Sequence, residues 1–418
     1  MTTIFFRTKS LLEWAITIVL AMGFASVYVH YSTLIYNLYN ICIFLLLLSV
    51  ATLSFGYLIA KHQVRVTSLL MILGYYLCFL MPFALFNNRL YAMGILFILQ
   101  MSVVPLLFFY FDLCNLLGTP WRLLQRLCRV ISVIAGISLI CWLVFSICRI
   151  GSPTQYLQID WGASRKIPAF WGIYFETQSI KVFGNEVIRN SGIYAEAPMF
   201  SFILSFNLMS RLFILKQHLI HNIVLVLAML STLTTTATLI LLIAGFATLL
   251  LKINDGWLLT ISLLVVGMIV AMTVYFVLTQ KFSAGDSLKI RLDDIQAGVK
   301  DWYRHPLTGN GIGNFESLIN EMNPARTQFA TTAEIGYSSG FFQVLALGGL
   351  ALAGFYTLPM VAFAIKQRHV LGIGAALLSG VMMLLFINAI VSYEWLFLVI
   401  ISYLYAFSFL TLKQEERL

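Results

Sequence analysis

Apolar residues run in blocks of about 20 along most of this chain, with short polar turns between them. The amphipathic period of a half-buried helix or strand is largely missing. Twelve such blocks can be drawn, at 13–30, 40–60, 66–86, 90–111, 130–148, 198–215, 220–234, 236–252, 257–279, 341–365, 371–390 and 394–412. Backbone in lipid must satisfy its own hydrogen bonds, so each block is expected to be a membrane-spanning helix. The seventh and eighth blocks run together through Ser231–Thr238, and their boundary is soft. The first block has two readings. With Arg7 and Lys9 as a basic lead and Ala21–Ser26 as a small-residue end, it resembles a cleavable signal. The uncleaved reading is preferred, because it makes the charge pattern consistent.

Two long polar stretches interrupt the blocks, at 149–197 and 280–340. Composition agrees with the pattern: 60% of residues are hydrophobic, 10% are charged and mean hydropathy is +0.91. Soluble domains do not have this composition. The expected fold class is an all-α polytopic integral membrane protein, one transmembrane domain over 1–418, with two large loops on the outer face.

Charge supplies the orientation. With the N-terminus inside, the short inner loops hold Lys61, Arg65, Arg122, Arg126, Arg129, Arg211, Lys216, Lys252, Lys366 and Arg368. The short outer loops hold only Arg89 and Glu394. This is the positive-inside pattern, and it puts both termini in the cytoplasm. The net charge of +9 is then divided between topology signals and the two outer loops, and no nucleic-acid partner is expected. The six cysteines fall in blocks or inner loops, so no structural disulfide is expected outside. No Cys/His spacing resembles a zinc site, and no cofactor or metal is expected.

In the first loop, Trp161, Trp171, Tyr174 and Phe175 interleave with Arg165 and Lys166. This reads either as an interfacial aromatic belt or as a surface for sugars and lipid headgroups. The loop ends at Arg189 and Glu196, beside the next block. The second loop opens with a short helix capped by Asp286 or Ser287 and stopped by Pro306. On that helix Arg291, Ile295, Gly298 and Trp302 share a face, while Lys289 can pair with Asp293 and Arg291 with Asp294. The adjacent Asp293 and Asp294 are a thin signal for a divalent cation. Then Gly309, Gly311 and Gly313 alternate, as in loops whose backbone turns tightly or closes on an anion. Arginine forks suit phosphate oxygens, so an anionic, lipid-linked partner fits these loops.

The order of these features resembles the O-antigen polymerase and ligase superfamily of bacterial inner-membrane glycosyltransferases. Arg189-Asn-Ser-Gly192-Ile-Tyr-Ala-Glu196 is similar to that family's Arg-to-Glu-Pro step before a span. Arg291, Trp302 and the run His305 to Phe315 are similar to its arginine, tryptophan and glycine-rich loop. Phe342 to Gly349 is similar to the start of the span that follows. The resemblance covers roughly residues 185–350. It departs at Ala197, where the family has proline, and at Ser338 or Tyr337, where the ligase branch has histidine. The departure at 338 favours polymerase over ligase.

The resemblance implies a GT-C-like architecture in the bacterial inner membrane, with both long loops in the periplasm. It also implies transfer of a growing glycan from undecaprenyl pyrophosphate to a new lipid-linked repeat unit. The expected roles are Arg189 and Arg291 on the leaving pyrophosphate, with Arg304 as a supporting cation, and Glu196 as base, with His305 and Glu334 behind it. Arg304, Arg165, Lys166, Trp302, Glu334, Gly309, Gly311 and Gly313 are expected to contact substrate. Partners are the lipid-linked oligosaccharides, membrane lipid and a chain-length regulator. Competing readings are a ligase that caps lipid A-core, a lipid-linked oligosaccharide flippase, and a non-catalytic assembly partner. Twelve spans suit a flippase equally well, but mid-span charges and repeated halves, which transporters favour, are not evident in the sequence.

Overall fold

A computed structural model describes residues 2–86, 92–161, 163–182, 185–217, 220–251, 286–327, 336–410 and 412. The block at 257–279, Arg89, Lys252 and Glu334 lie outside the described residues. Among the described residues, six helices are long and apolar enough to cross a membrane: Thr33–Ala60 (α2), Val66–Phe86 (α3), Leu96–Leu116 (α4), Arg122–Ile147 (α5), Ala197–Ile214 (α6) and Gly340–Lys366 (α10). Helix α1 (Thr2–Gly23) precedes them. Among the described residues, four shorter apolar helices join them: Ile220–Ser231 (α7), Thr235–Leu250 (α8), Ile373–Asn388 (α11) and Trp395–Phe409 (α12). The chain is a mostly helical, multi-pass membrane protein.

Local chemistry sets several boundaries. The soft boundary at Ser231–Thr238 becomes a turn, with the Thr234 hydroxyl capping α8 through the Ala237 N–H at 3.2 Å. Helix α1 stops before Ala25, whose φ is +42°, and the short helix Val27–His30 follows. Helix α3 relaxes through a π-turn at Tyr76–Leu80.

Both long loops lie at one end of the bundle. There Val27 N–H donates to Ile193 O at 2.9 Å, Asn190 N–H to Ser231 O at 3.0 Å, and Gly340 N–H to Ala389 O at 3.1 Å. At the other end sits an ion cluster that the sequence reading did not anticipate. Lys9 pairs with Glu13 at 2.8 Å, and Arg122 and Arg126 reach the same carboxylate at 3.1 and 3.0 Å. Tyr110 donates to it at 3.0 Å. Lys9 and Glu13 are fully buried, so α1 is locked to α4 and α5.

The first loop is not simply irregular. It forms an antiparallel sheet of β1 (Gln155–Trp161), β2 (Ala163–Phe170) and β3 (Tyr174–Phe175), then a hairpin of β4 (Ser179–Val182) and β5 (Asn185–Ile188). The all-α expectation gives way here for a local reason. Leu157, Ile159 and Trp161 alternate with exposed Tyr156, Gln158 and Asp160, which is the period-2 pattern of a one-sided strand. The aromatic residues divide: Tyr174 and Phe175 are buried, whereas Trp171 is 75% exposed.

Candidate functional site

The two β-structures of the first loop converge on the start of α6. Pro198, in the first turn of α6, has no N–H to satisfy, and Glu196 is its extended N-cap residue. From β2, Arg165 donates to Ala195 O at 2.9 Å. Just after β5, Arg189 donates to Thr232 O at 3.0 Å and to Gln178 Oε1 at 3.3 Å. Gln178 donates in turn to Glu196 Oε2 at 3.4 Å, and its Oε1 also accepts from Ala197 N–H at 3.3 Å. Arg189 and Glu196 are therefore joined through an amide. No direct ion pair joins them among the described residues.

Burial outweighs charge in this cluster. Burial pushes the Glu196 carboxyl up, while Arg165, a hydrogen bond from Trp161, Arg189 and Gln178 pull it down. Burial also lowers both guanidiniums, and Glu196 opposes that. Among the described residues, Arg165 Nε and Thr177 Oγ1 are buried with no hydrogen-bond partner, as are Ser205, Ser210 and Ser379 within the bundle. Such groups leave room for water or a ligand to satisfy them. Lys166 is on β2 opposite Gln158, exposed and away from this cluster.

In the second loop, Asp286–Trp302 (α9) forms as expected and ends four residues before Pro306. Its expected ion pairs do not form. Arg291 donates to Asn388 Oδ1 at 2.8 Å, at the end of α11. The acidic pair is taken by Arg326, which reaches Asp293 at 3.2 Å and Asp294 at 2.6 Å. Asp294 Oδ2 also accepts from Ser338 Oγ at 2.6 Å and Ser338 N–H at 2.8 Å. Ser338 is thus an anchor of the loop, and the two carboxylates share one guanidinium. Among the described residues, no group of three or more His, Cys, Asp or Glu could hold a metal ion.

The glycine run packs its backbone against α10, and Gly309 and Gly311 also line a polar cavity. Helix α10 breaks at Gly349, with φ +61° and ψ −165°. Asn310 and Gly311 N–H donate to Ala346 O and Leu347 O, each at 3.0 Å. Leu350 and Ala351 N–H donate to Pro306 O and Leu307 O, at 2.9 and 3.1 Å. The loop backbone thus satisfies the groups that the break exposes. A β-carbon on Gly309 would lie 2.3 Å from Leu347 C and Gly348 N, so the close approach is to α10. Gly311 and Gly313 also have positive φ, at +107° and +87°. Trp302 holds the same turn, donating from Nε1 to Pro306 O at 2.9 Å.

Arg304 and His305 line that same cavity, of about 510 Å³, with Asn310, Asn314, Glu316 and Ser317 around it. Arg304 is paired with Glu321. The structure therefore groups Arg165, Arg189 and Glu196 in one cluster. Arg291 sits at the same bundle end on a different support, and His305 and Arg304 lie on the glycine loop. Gln178 and Asn388 were missed. An isolated glutamine in a strand-rich loop carries no sequence signal, but an asparagine closing an apolar block is a polar exception that could have been flagged.

No protein-family model matches this chain, and no curated protein is significantly similar to it.

Proposed function

We propose that this chain is a polysaccharide polymerase that joins oligosaccharide repeat units carried on undecaprenyl pyrophosphate. In this reading it spans the bacterial inner membrane about twelve times, with about 20 residues per span. Both termini are cytoplasmic and both long loops periplasmic.

The observation that carries the reading is the cluster at the start of α6. A half-buried carboxylate there is set between two arginines, with unpartnered donors beside it. A reaction that expels pyrophosphate needs preorganised cations for the growing negative charge, and arginines supply them without a metal. Arg189 and Arg291 take this role, with Arg165 supporting. Arg304 is engaged by Glu321 and contributes from the edge. The acceptor hydroxyl must lose a proton to a positioned base, and the site has carboxylates within its walls.

The test is a polysaccharide gel from a strain lacking the protein. Deletion should leave surface glycan of a single repeat unit. Wild type should restore the ladder, and Arg291→Ala or Arg189→Ala should not. If deletion instead removes all capped lipid while full-length chains accumulate on the carrier, the ligase reading replaces this one. If lipid-linked units stay on the cytoplasmic side, a flippase replaces it.

A further inference from the structure

The turn between α11 and α12 touches both loops. At its start, Asn388 accepts from Arg291 at 2.8 Å. At its end, Glu394 Oε2 accepts from Ala25 N–H at 3.4 Å. Ala25 O accepts from Ala195 N–H at 2.9 Å, one residue before Glu196. Residues 388–394 therefore form a strap from the Arg291 loop to the Glu196 loop. Neither sequence pattern nor resemblance gave this strap a role.

Within it, Glu394 differs from the acidic groups that arginines pair or flank. It lies deep in the bundle end but is only half-buried, so part of it faces open space. Asp293, Asp294 and Glu321 have arginine partners, and Glu196 sits between two arginines. No ion pair reaches Glu394 among the described residues. The titratable groups facing it are the hydroxyls of Tyr36 and Tyr39 on α2. Among the described residues, the buried Tyr39 hydroxyl has no hydrogen-bond partner. A carboxylate withdrawn from bulk water with no countercharge is costly to keep, and such groups gather at functional sites.

Chemistry separates the two glutamates. Neighbouring cations make a carboxylate a weaker base, and a site without them makes it a stronger one. We propose that Glu394 is the general base of the glycosyl transfer, and that Glu196 is the counter-ion that sets Arg165 and Arg189. This rests on the polymerase reading above. In the step, the acceptor sugar hydroxyl gives its proton to the Glu394 carboxylate. The hydroxyl oxygen forms a bond to the anomeric carbon of the donor glycan. The bond from that carbon to the pyrophosphate oxygen breaks, and lipid pyrophosphate leaves with the electron pair, beside the arginines.

The test uses the purified full chain in lipid nanodiscs, with a synthetic polyprenyl-pyrophosphate-linked repeat unit as substrate. Polymer formation is followed against pH for wild type, Glu394→Gln, Glu394→Asp and Glu196→Gln. Glu394→Gln is expected to lose about 10²–10⁴-fold in kcat and the acid limb of the profile. Glu394→Asp keeps the charge, so it should be slower than wild type but retain that limb. It also serves if the Gln variant does not fold. Glu196→Gln should be slow with the limb intact. The idea is overturned if Glu394→Gln keeps the wild-type rate and limb, or if the limb disappears in Glu196→Gln and persists in the Glu394 variants. If wild type itself makes no polymer from this substrate, the polymerase reading fails and this assignment goes with it.

Discussion

Arg291 reaches 97 residues along the chain to Asn388, and the 2.8 Å bond from its guanidinium fastens α9 to the end of α11. A guanidinium has five N–H donors, so one anchored donor fixes its direction and leaves others for a ligand. Arg291→Ala is expected to lower polymer formation by roughly 10²–10³-fold, the scale of removing one preorganised donor to a developing anion. Arg291→Lys keeps the charge but loses the planar fork, and should recover only part of the rate. Rates on protein recovered at wild-type level in membranes would check both.

Gly309 and Gly349 hold the crossing of loop and helix. Both have positive φ, at +73° and +61°, and a β-carbon on either would meet backbone within 2.4 Å. Gly309→Ala should cost well above the ~1–2 kcal/mol of a left-handed alanine alone. Gly118→Ala is the control, because Gly118 has φ +67° with open space around it. Thermal melting in detergent should show Gly309→Ala far below Gly118→Ala; equal melting points would refute the tight crossing.

Asp294 is fully buried and carries Arg326 and Ser338 together. Asp294→Ala leaves Arg326 with Asp293 but removes the acceptor of the Ser338 N–H and hydroxyl. A buried donor left open costs about 1–3 kcal/mol, so the second loop should be destabilised by about that much. Limited proteolysis across 320–340 would report it, as faster cleavage than in wild type.

The Glu196 carboxyl is raised chiefly by burial. The native state then holds its proton to higher pH than the unfolded chain does. Its contribution is fully present below the unfolded value near 4.5 and is lost as pH rises through the raised native value. Glu196→Gln removes that dependence. Melting temperature against pH should fall less steeply above 4.5 for the variant than for wild type.

Glu13 gathers Lys9, Arg122, Arg126 and Tyr110 at the bundle end opposite the loops. Glu13→Ala strands Lys9 and Arg126 in the interior, at a cost of about 3–5 kcal/mol. Because this cluster is remote from the loops, the residual folded protein should polymerise at an undiminished rate per molecule. A rate loss exceeding the loss of folded protein would refute that separation.

Much of the bundle is legible in the sequence because apolar block length maps directly onto helices. Helix α9 is legible through Asp286 and Pro306. The partners of charged groups are not. Neighbours at i+3 and i+4 suggested Lys289–Asp293 and Arg291–Asp294, but Arg326 and Asn388, more than 30 residues away, outcompete them. Local spacing counts only what is near in the chain, whereas a half-buried arginine is satisfied by whatever the tertiary fold brings up. The glycine run was readable as a close approach, but not what it approaches. The doublet Gly348-Gly349 inside an apolar block was the available sign that a helix would open there.

The break in α10 also couples helix and loop. The four main-chain bonds that satisfy it all come from residues 306–311. In hydrocarbon, a helix that opened without them would leave carbonyls and amides bare, each at a cost of several kcal/mol. The bend of α10 and the docking of the glycine loop therefore stabilise each other, and neither is expected to persist without the other.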